Sequence, residues 1–446
     1  MPKSLRFYLR FTAALVSRHY RGILIGLLLG ALAFFILPKI LRYLPPIRPT
    51  RTIGIVAQPT LSDLPLAIQR QISLGLTALD PAGSPVPAIA DSWTATDSGK
   101  TFLFTLQSGL VWQDGQPLVS SDIKYNFKDA KVEYPDQSHI KIILPDPFSP
   151  LPSAVTRPLF KKKLVGVGSY RVTKTRLNGS TVESLTLSPM NSDSTAPNLR
   201  YNFYASENQA RMAYKLGLVK SLLDIQDPAD LKTWPGTDIS RQIHTDRYVA
   251  VFFNSQSPLF LGTAGRNLRQ ALAYAVDKSR WQATVRAAGP IGPDSWAFSD
   301  DVKKYDFDLD HAKQLLAKVD KIPDPLILTT VPAYLSQAED IKKDWQAIGV
   351  TTEVHVSLDT PIDYQALLLA QAIPADPDQY SLWHSTQAGN ITRINNPRID
   401  KLLEDGRKTL DLSTRKAIYS DFQKFLLEES PAVFLFHPHT YTISRQ

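Results

Sequence analysis

Residues 79–127 read LDPAGSPVPAIADSWTATDSGKTFLFTLQSGLVWQDGQPLVSSDIKYNF. Turn formers punctuate the stretch at Asp80-Pro81, Gly83-Ser84-Pro85, Asp97-Ser98-Gly99 and Asp114-Gly115. Glycine tolerates positive φ, proline presets φ, and aspartate hydrogen-bonds its own backbone. Between the turns, Thr101 to Leu106 reads as a strand. Phe102, Phe104 and Leu106 give it one strongly apolar face, while Thr101, Leu103 and Thr105 make a mixed one, as in a sheet covered on one side. Ser121 reads as an N-cap, with Asp122 in the first turn of a helix that carries Ile123 and Phe127 on one face.

The order of these pieces, VPAIADSW, Asp97-Ser98-Gly99-Lys100, TFLFTL, GLVWQDGQPL and SSDIKYNF, resembles the signature of the bacterial family 5 solute-binding proteins, peptide- and nickel-binding receptors of ABC importers. Further segments continue the resemblance from about residue 52 to 440. Gly166-Val167-Gly168-Ser169-Tyr170 stands where the family has a Gly-Thr-Gly-Pro-Tyr turn. No Gly-Lys-Ser/Thr follows it, so a tight crossover explains the glycines better than a phosphate cradle. The strand YVAVFFN (248–254), the helix containing RQALAYAVDK (269–278), the helix DHAKQLLAKV (310–319), the Asp376-Pro377-Asp378 segment and the strand at 431–437 follow in family order.

The resemblance implies an α/β, two-lobed periplasmic-binding-protein-like fold with a small extra subdomain. The first lobe is expected over 52–256, with a subdomain at about 81–165 that looks trimmed. The second lobe is expected over 257–424, and residues 425–446 return to the first. The resemblance also implies a ligand site around Asp376, Asp378, Tyr380, Trp383 and His384. By their residue types alone, Trp383 fits a cleft wall or a core, and Asp376-Pro377-Asp378 fits a ligand carboxylate or a turn. In peptide receptors of the family, a tryptophan six residues and an aspartate three residues before the first aspartate of this segment hold the ligand's amino end. Ala370 and Ile373 occupy those places here. Isoleucine cannot offset a buried ammonium, so strict free-amine recognition is expected to be lost unless Asp376 or Asp378 substitutes.

The chain has 446 residues and a formal charge of +8, with 43% hydrophobic and 21% charged residues, a globular composition of two or three packed units. The charge does not point to nucleic acid. Residues 1–51 hold nine basic residues and no acids, which leaves 41 basic against 42 acidic residues in the rest. Those bases flank GILIGLLLGALAFFIL (22–37), which contains no charge. As a helix its sixteen residues rise about 24 Å, and Lys39 and Arg42 can snorkel across the remainder of a bilayer core of about 30 Å. The reading is a basic cytoplasmic leader (1–21), one N-terminal transmembrane helix as anchor (22–42), a proline-rich linker (43–51), and the bulk outside the cell. Ala31-Leu32-Ala33 offers a cleaved export signal as the alternative. The chain has no cysteine, so a lipid-tethering cysteine, disulfides and thiol chemistry are excluded.

Enzyme patterns are missing: there is no Gly-x-Ser-x-Gly elbow, HExxH or cysteine nucleophile. His437-Pro438-His439 lacks companions for a zinc site, and Asp300, Asp301, Asp306, Asp308 and Asp310 lack the glycine and closing glutamate of a calcium loop. The expectation is a monomeric, anchored, non-enzymatic receptor without cofactor or resident metal. It would capture oligopeptides by cleft closure and pass them to ABC transporter permease subunits. A nickel or other small-solute receptor, with His384 as the nearest imidazole, and an anchored chaperone or sensing module are the alternatives.

Overall fold

The computed structural model describes residues 5–43, 48–191, 195–281, 284–322, 324–359 and 361–445. The segment up to Thr50 forms one compact unit, and the chain from Arg51 onward, residues 195–197 apart, forms another. The first unit carries the helix Leu5–Tyr43. Among the described residues no single helix is long and apolar enough to cross a membrane; Ala14–Gly22 and Leu24–Ile36, bent by 50°, pass that test only together. Leu27, Leu28, Phe34 and Phe35 on it are exposed. Residues 44–47 of the expected linker lie outside the described residues.

In the body, a seven-stranded sheet runs in the order Thr237–Ile243, His439–Arg445, Ser221–Ile225, Thr50–Val56, Asn198–Tyr204, Thr181–Pro189 and Tyr170–Asn178. Ile53, Ile55, Leu185 and Leu187 pack with Ile68 and Ile72 of the helix Leu66–Ile72. Leu222, Ile225 and Ile443 pack with Ala210, Ala213 and Tyr214 of the helix Glu207–Lys215.

A six-stranded sheet forms the second lobe, in the order Val285–Arg286, Ala432–His437, Arg247–Phe253, Ala366–Ala372, Leu326–Thr330 and Thr352–Val356. Its central strand Arg247–Phe253 is buried from Tyr248 to Phe253. An apolar run without alternation is what a strand covered on both faces requires. Val249, Val251 and Phe253 share a core with the helices Gly262–Ala275, Leu309–Leu316 and Leu335–Ala347. Tyr248, Ala250 and Phe252 share another with Pro397–Lys408 and Leu412–Glu429.

The small subdomain is a four-stranded sheet in the order Ala90–Thr96, Thr101–Leu106, His139–Ile143 and Lys131–Asp136. Thr101–Leu106 buries Phe102, Phe104 and Leu106, as the alternation in the sequence predicts. The helix expected after Ser121 does not form. A single turn at Ser120–Asp122 ends with Ile123 already extended. Ile123, Tyr125 and Phe127 all pack on the subdomain core, every second residue, which is the period of extended chain and not of a helix. The Asp122 carboxylate instead accepts from Trp112 Nε1 at 2.9 Å and from the Val119 amide at 3.2 Å.

Strand pairing also moves the expected lobe boundaries. The first lobe was expected to end at residue 256 and to resume at 425. Arg247–Phe253 and Ala432–His437 both belong to the second-lobe sheet, so the chain crosses at 244–246 and returns at Pro438.

Candidate ligand-binding cleft

The two crossings define one edge of each sheet. Thr50–Val56 runs parallel to Ser221–Ile225, and both Ser221–Ile225 and Thr237–Ile243 run antiparallel to His439–Arg445. Val56 and Ile243 therefore end at the edge where the chain leaves for the second lobe. In the second lobe, Arg247–Phe253 begins at the crossing, and its antiparallel neighbours Ala366–Ala372 and Ala432–His437 end there. The His244 amide donates to the Pro438 carbonyl at 2.8 Å, which ties the two crossing strands together.

Cavities open on both sides of this edge. The first-lobe cavity, about 620 Å³, begins at Ala57 and is lined by Gln58, Asp63, Leu64, Arg70 and Arg157 among others. The second-lobe cavity, about 200 Å³, is lined by Thr245, Asp246, Gly292, Asp294, Ile373 and the turn Pro81–Gly83. Ile373, at the place where the family carries its amine-binding aspartate, thus forms part of this wall. The carboxylates nearby are Asp294, which is exposed, and Asp246, which pairs with Arg247 at 3.1 Å. The Arg247 guanidinium beside Asp246 holds that carboxyl below its ordinary value against the opposing effect of burial.

The expected site residues lie just behind this wall, on the segment that follows Ala366–Ala372. Asp376 is 8% exposed and is gripped by Arg415, whose Nη1 donates to Oδ2 at 3.0 Å while Nη2 donates to Oδ1. The Ser153 hydroxyl, from the subdomain side, also donates to Asp376 Oδ2 at 3.2 Å. Asp378 accepts from Arg407 Nε and Nη2 at 3.0 and 2.7 Å. The Arg407 guanidinium also lies 4.0 Å from the centroid of the Tyr380 ring. Both carboxylates are therefore engaged inside the protein. Trp383 is 2% exposed and sits 6.4 Å from Phe252 and 6.2 Å from Phe434, ring to ring, in the second-lobe core. His384 is buried and stacked on Tyr380 at 4.2 Å, and its Nε2 lies 3.5 Å from Glu404.

Several hydrogen bonds around this segment join the two halves of the body. Besides Ser153 and Asp376, Ser149 donates through its amide and hydroxyl to the Arg407 carbonyl at 2.8 and 3.0 Å, and the Trp296 amide donates to the Ala82 carbonyl at 3.0 Å. Sequence reasoning missed Arg407 and Arg415. Their only local signal is a basic residue on each of two amphipathic helices, which solvated faces carry just as often.

The glycine pair behaves as the sequence suggests. A Cβ on Gly166 would lie 2.2 Å from the Ile72 carbonyl oxygen, and one on Gly168 would lie 2.5 Å from that of Gln71. Gln113, next to the Asp114-Gly115 turn, fastens this crossover by donating to the carbonyls of Ile72, Gly168 and Tyr170.

Comparison with known proteins agrees with this architecture. The family described as bacterial extracellular solute-binding proteins, family 5 Middle, matches residues 84–391, well over half of the chain. Heme-binding protein A of Haemophilus influenzae is 29% identical over 243 residues, covering 48% of this chain and 43% of that protein. The dipeptide-binding protein of Escherichia coli is 21% identical over 445 residues, covering 79% and 81%. Among solved structures, the ABC transporter substrate-binding protein CtaP of Listeria monocytogenes superposes with a TM-score of 0.76 at 21% identity, covering 89% of this chain and 94% of that one. At that identity the likeness is one of fold.

Proposed function

Because this chain belongs to the bacterial extracellular solute-binding proteins, family 5, and so is a solute-binding receptor of the kind that serves ABC importers, we propose that it captures oligopeptides in the cleft between its lobes and delivers them to a membrane permease. One observation carries the reading: two sheets that the chain connects by paired crossing strands, with a cavity on each side of the joint. Two crossings make a hinge, and a ligand that touches both walls favours the closed arrangement by its differential affinity for it. An extended peptide would offer backbone hydrogen bonds along the cleft and leave side chains to roomy pockets.

In this reading Asp376, Asp378, Tyr380 and Trp383 position the second-lobe wall, with their arginine and aromatic partners behind it, and the wall itself meets the solute. The amino-terminal segment anchors the receptor, with residues 1–21 cytoplasmic and the body outside. Its exposed leucines and phenylalanines and its basic leader support that topology. The test is mass spectrometry of small molecules that co-purify with the full chain, followed by thermal melts with the ligand so identified. Peptides that raise the melting temperature in a concentration-dependent way support the proposal. A metal chelate or other non-peptide solute in their place overturns the peptide assignment. Proteolysis of the body from outside intact cells is expected, and full protection would reverse the topology.

A further inference from the structure

The second lobe carries a cavity of about 460 Å³ at the end of its sheet opposite the crossing. The central strand Arg247–Phe253 begins at the crossing, and Ser255, just past its other end, lines the cavity. At about 3.3 Å per residue, the strand sets this cavity about 20 Å from the cleft. Its lining holds three arginines, Arg266, Arg269 and Arg393, and one acid, Glu429, a net of two positive charges. Arg266 and Arg269 share the Glu429 carboxylate, at 3.5 and 3.8 Å. Arg269 is buried and is fixed by donating to the carbonyls of Phe260, Glu429 and Ser430. Arg393 has no carboxylate partner among the described residues: its Nη2 donates to the Ile362 carbonyl, and its guanidinium lies 5.5 Å from the centroid of the Tyr364 ring. The helix Gly262–Ala275 starts at the same cavity, with Gly262 and Thr263 in the lining and no side-chain cap from Leu261. Its first-turn amides have no intrahelical acceptor and give that end about half a positive charge. A further group there is left over: the Ser255 hydroxyl is buried and makes no hydrogen bond among the described residues, where buried polar groups ordinarily have a partner.

A phosphate monoester carries about 1.5 to 2 negative charges near pH 7 and presents three strong acceptor oxygens. That charge matches the excess in the lining. Guanidinium forks pair with phosphate oxygens two at a time, and a helix start supplies amides aimed at the same group. We propose that this cavity is a binding site for a doubly charged phosphoryl group, separate from the solute cleft, held by Arg266, Arg393 and the first turn of the helix Gly262–Ala275, with the Ser255 hydroxyl as a further donor. Leu261, which lines the cavity, and Ile362, whose carbonyl Arg393 holds, are both exposed. The phosphoryl group therefore belongs either to a free phosphate ester or to a phospholipid headgroup whose chains meet those side chains.

The test uses the full chain in a maltoside detergent and calorimetric titration with glycerol 3-phosphate, dihexanoyl phosphatidic acid and acetate. Saturable binding of both phosphates is expected, at least tenfold tighter than that of acetate. A phosphatidic acid that binds at least tenfold tighter than glycerol 3-phosphate makes a lipid headgroup the source, and one that binds no tighter makes it a free phosphate ester. The double variant Arg266→Gln/Arg393→Gln should lose at least tenfold in affinity for both phosphates. Thr263→Glu decides the matter if the double variant melts early. Thr263 is exposed in the first turn of its helix, where a carboxylate favours the helix while its charge opposes a bound phosphate. That variant should keep the ligand-free melting temperature and lose phosphate binding at least tenfold. No saturable binding of either phosphate, acetate bound as tightly, or phosphate affinity unchanged in Thr263→Glu overturns the site.

Discussion

Replacing Asp376 by alanine separates the two roles this carboxylate can have. Asp376 and Arg415 are both buried, with side chains 10% and 6% exposed. Arg415 also donates to the Gly406 carbonyl at 2.8 Å and to the Tyr419 hydroxyl at 3.2 Å, so its guanidinium stays in place when the aspartate is removed. A buried cation left without its partner costs about 3–5 kcal/mol, whereas replacing both partners by apolar groups is often neutral. Asp376→Ala should therefore lower the unfolding free energy of the ligand-free protein by about 3–5 kcal/mol. Asp376→Leu combined with Arg415→Met should recover most of that loss. Urea titrations followed by tryptophan fluorescence give the change as the midpoint shift multiplied by the slope. A loss below about 1 kcal/mol for Asp376→Ala, together with ligand binding weakened more than tenfold, would refute the reasoning and make Asp376 a ligand contact.

Trp383→Ala, which empties a position between Phe252 and Phe434, should destabilise the ligand-free protein by about 3–5 kcal/mol; an unchanged ligand-free melt with lost binding would put the indole in the cleft instead. Acetylating the amino end of a bound peptide should cost less than about 1.4 kcal/mol, a tenfold change by calorimetry, because Ile373 cannot bind an ammonium and Asp376 and Asp378 already hold arginines. A hundredfold loss would point to Asp294. Burial pushes the His437 imidazole below its ordinary value, and the ring stays neutral while Nδ1 donates to the Arg247 carbonyl at 2.8 Å. The unfolded chain then binds more protons below about pH 6.5, so stability is present above that pH and falls as the pH drops toward the folded value, by at most about 1.4 kcal/mol per pH unit for this proton. Urea midpoints between pH 7.5 and 5 should show a shallower fall for His437→Gln, and identical slopes would exclude this histidine as a contributor.

The sequence by itself determined the local structure and much of the architecture. Alternation in TFLFTL marked a strand with one buried face, and the unbroken YVAVFFN marked one covered on both. The order of short turn and strand segments over 79–127 identified the family, because each piece records a local backbone requirement in its own residues. At Ile123, Tyr125 and Phe127 the two-residue period was also present, and the N-cap signal at Ser121 masked it.

What the tertiary structure alone decided is which distant partner each polar group meets. Nothing local in Asp376 or Asp378 says that arginines 39 and 29 residues away will claim them, or that Ser153 will reach Asp376 from the subdomain. The crossings at 244–246 and Pro438 follow from strand pairing between segments almost two hundred residues apart, and Arg70 and Arg157 share one cavity across 87 positions of sequence. The physical reason is common to all of these. A hydrophobic pattern states which face of an element must leave water, since that depends on its own side chains, but a charge or hydrogen-bonding group is satisfied by whatever the packed fold brings within about 3 Å.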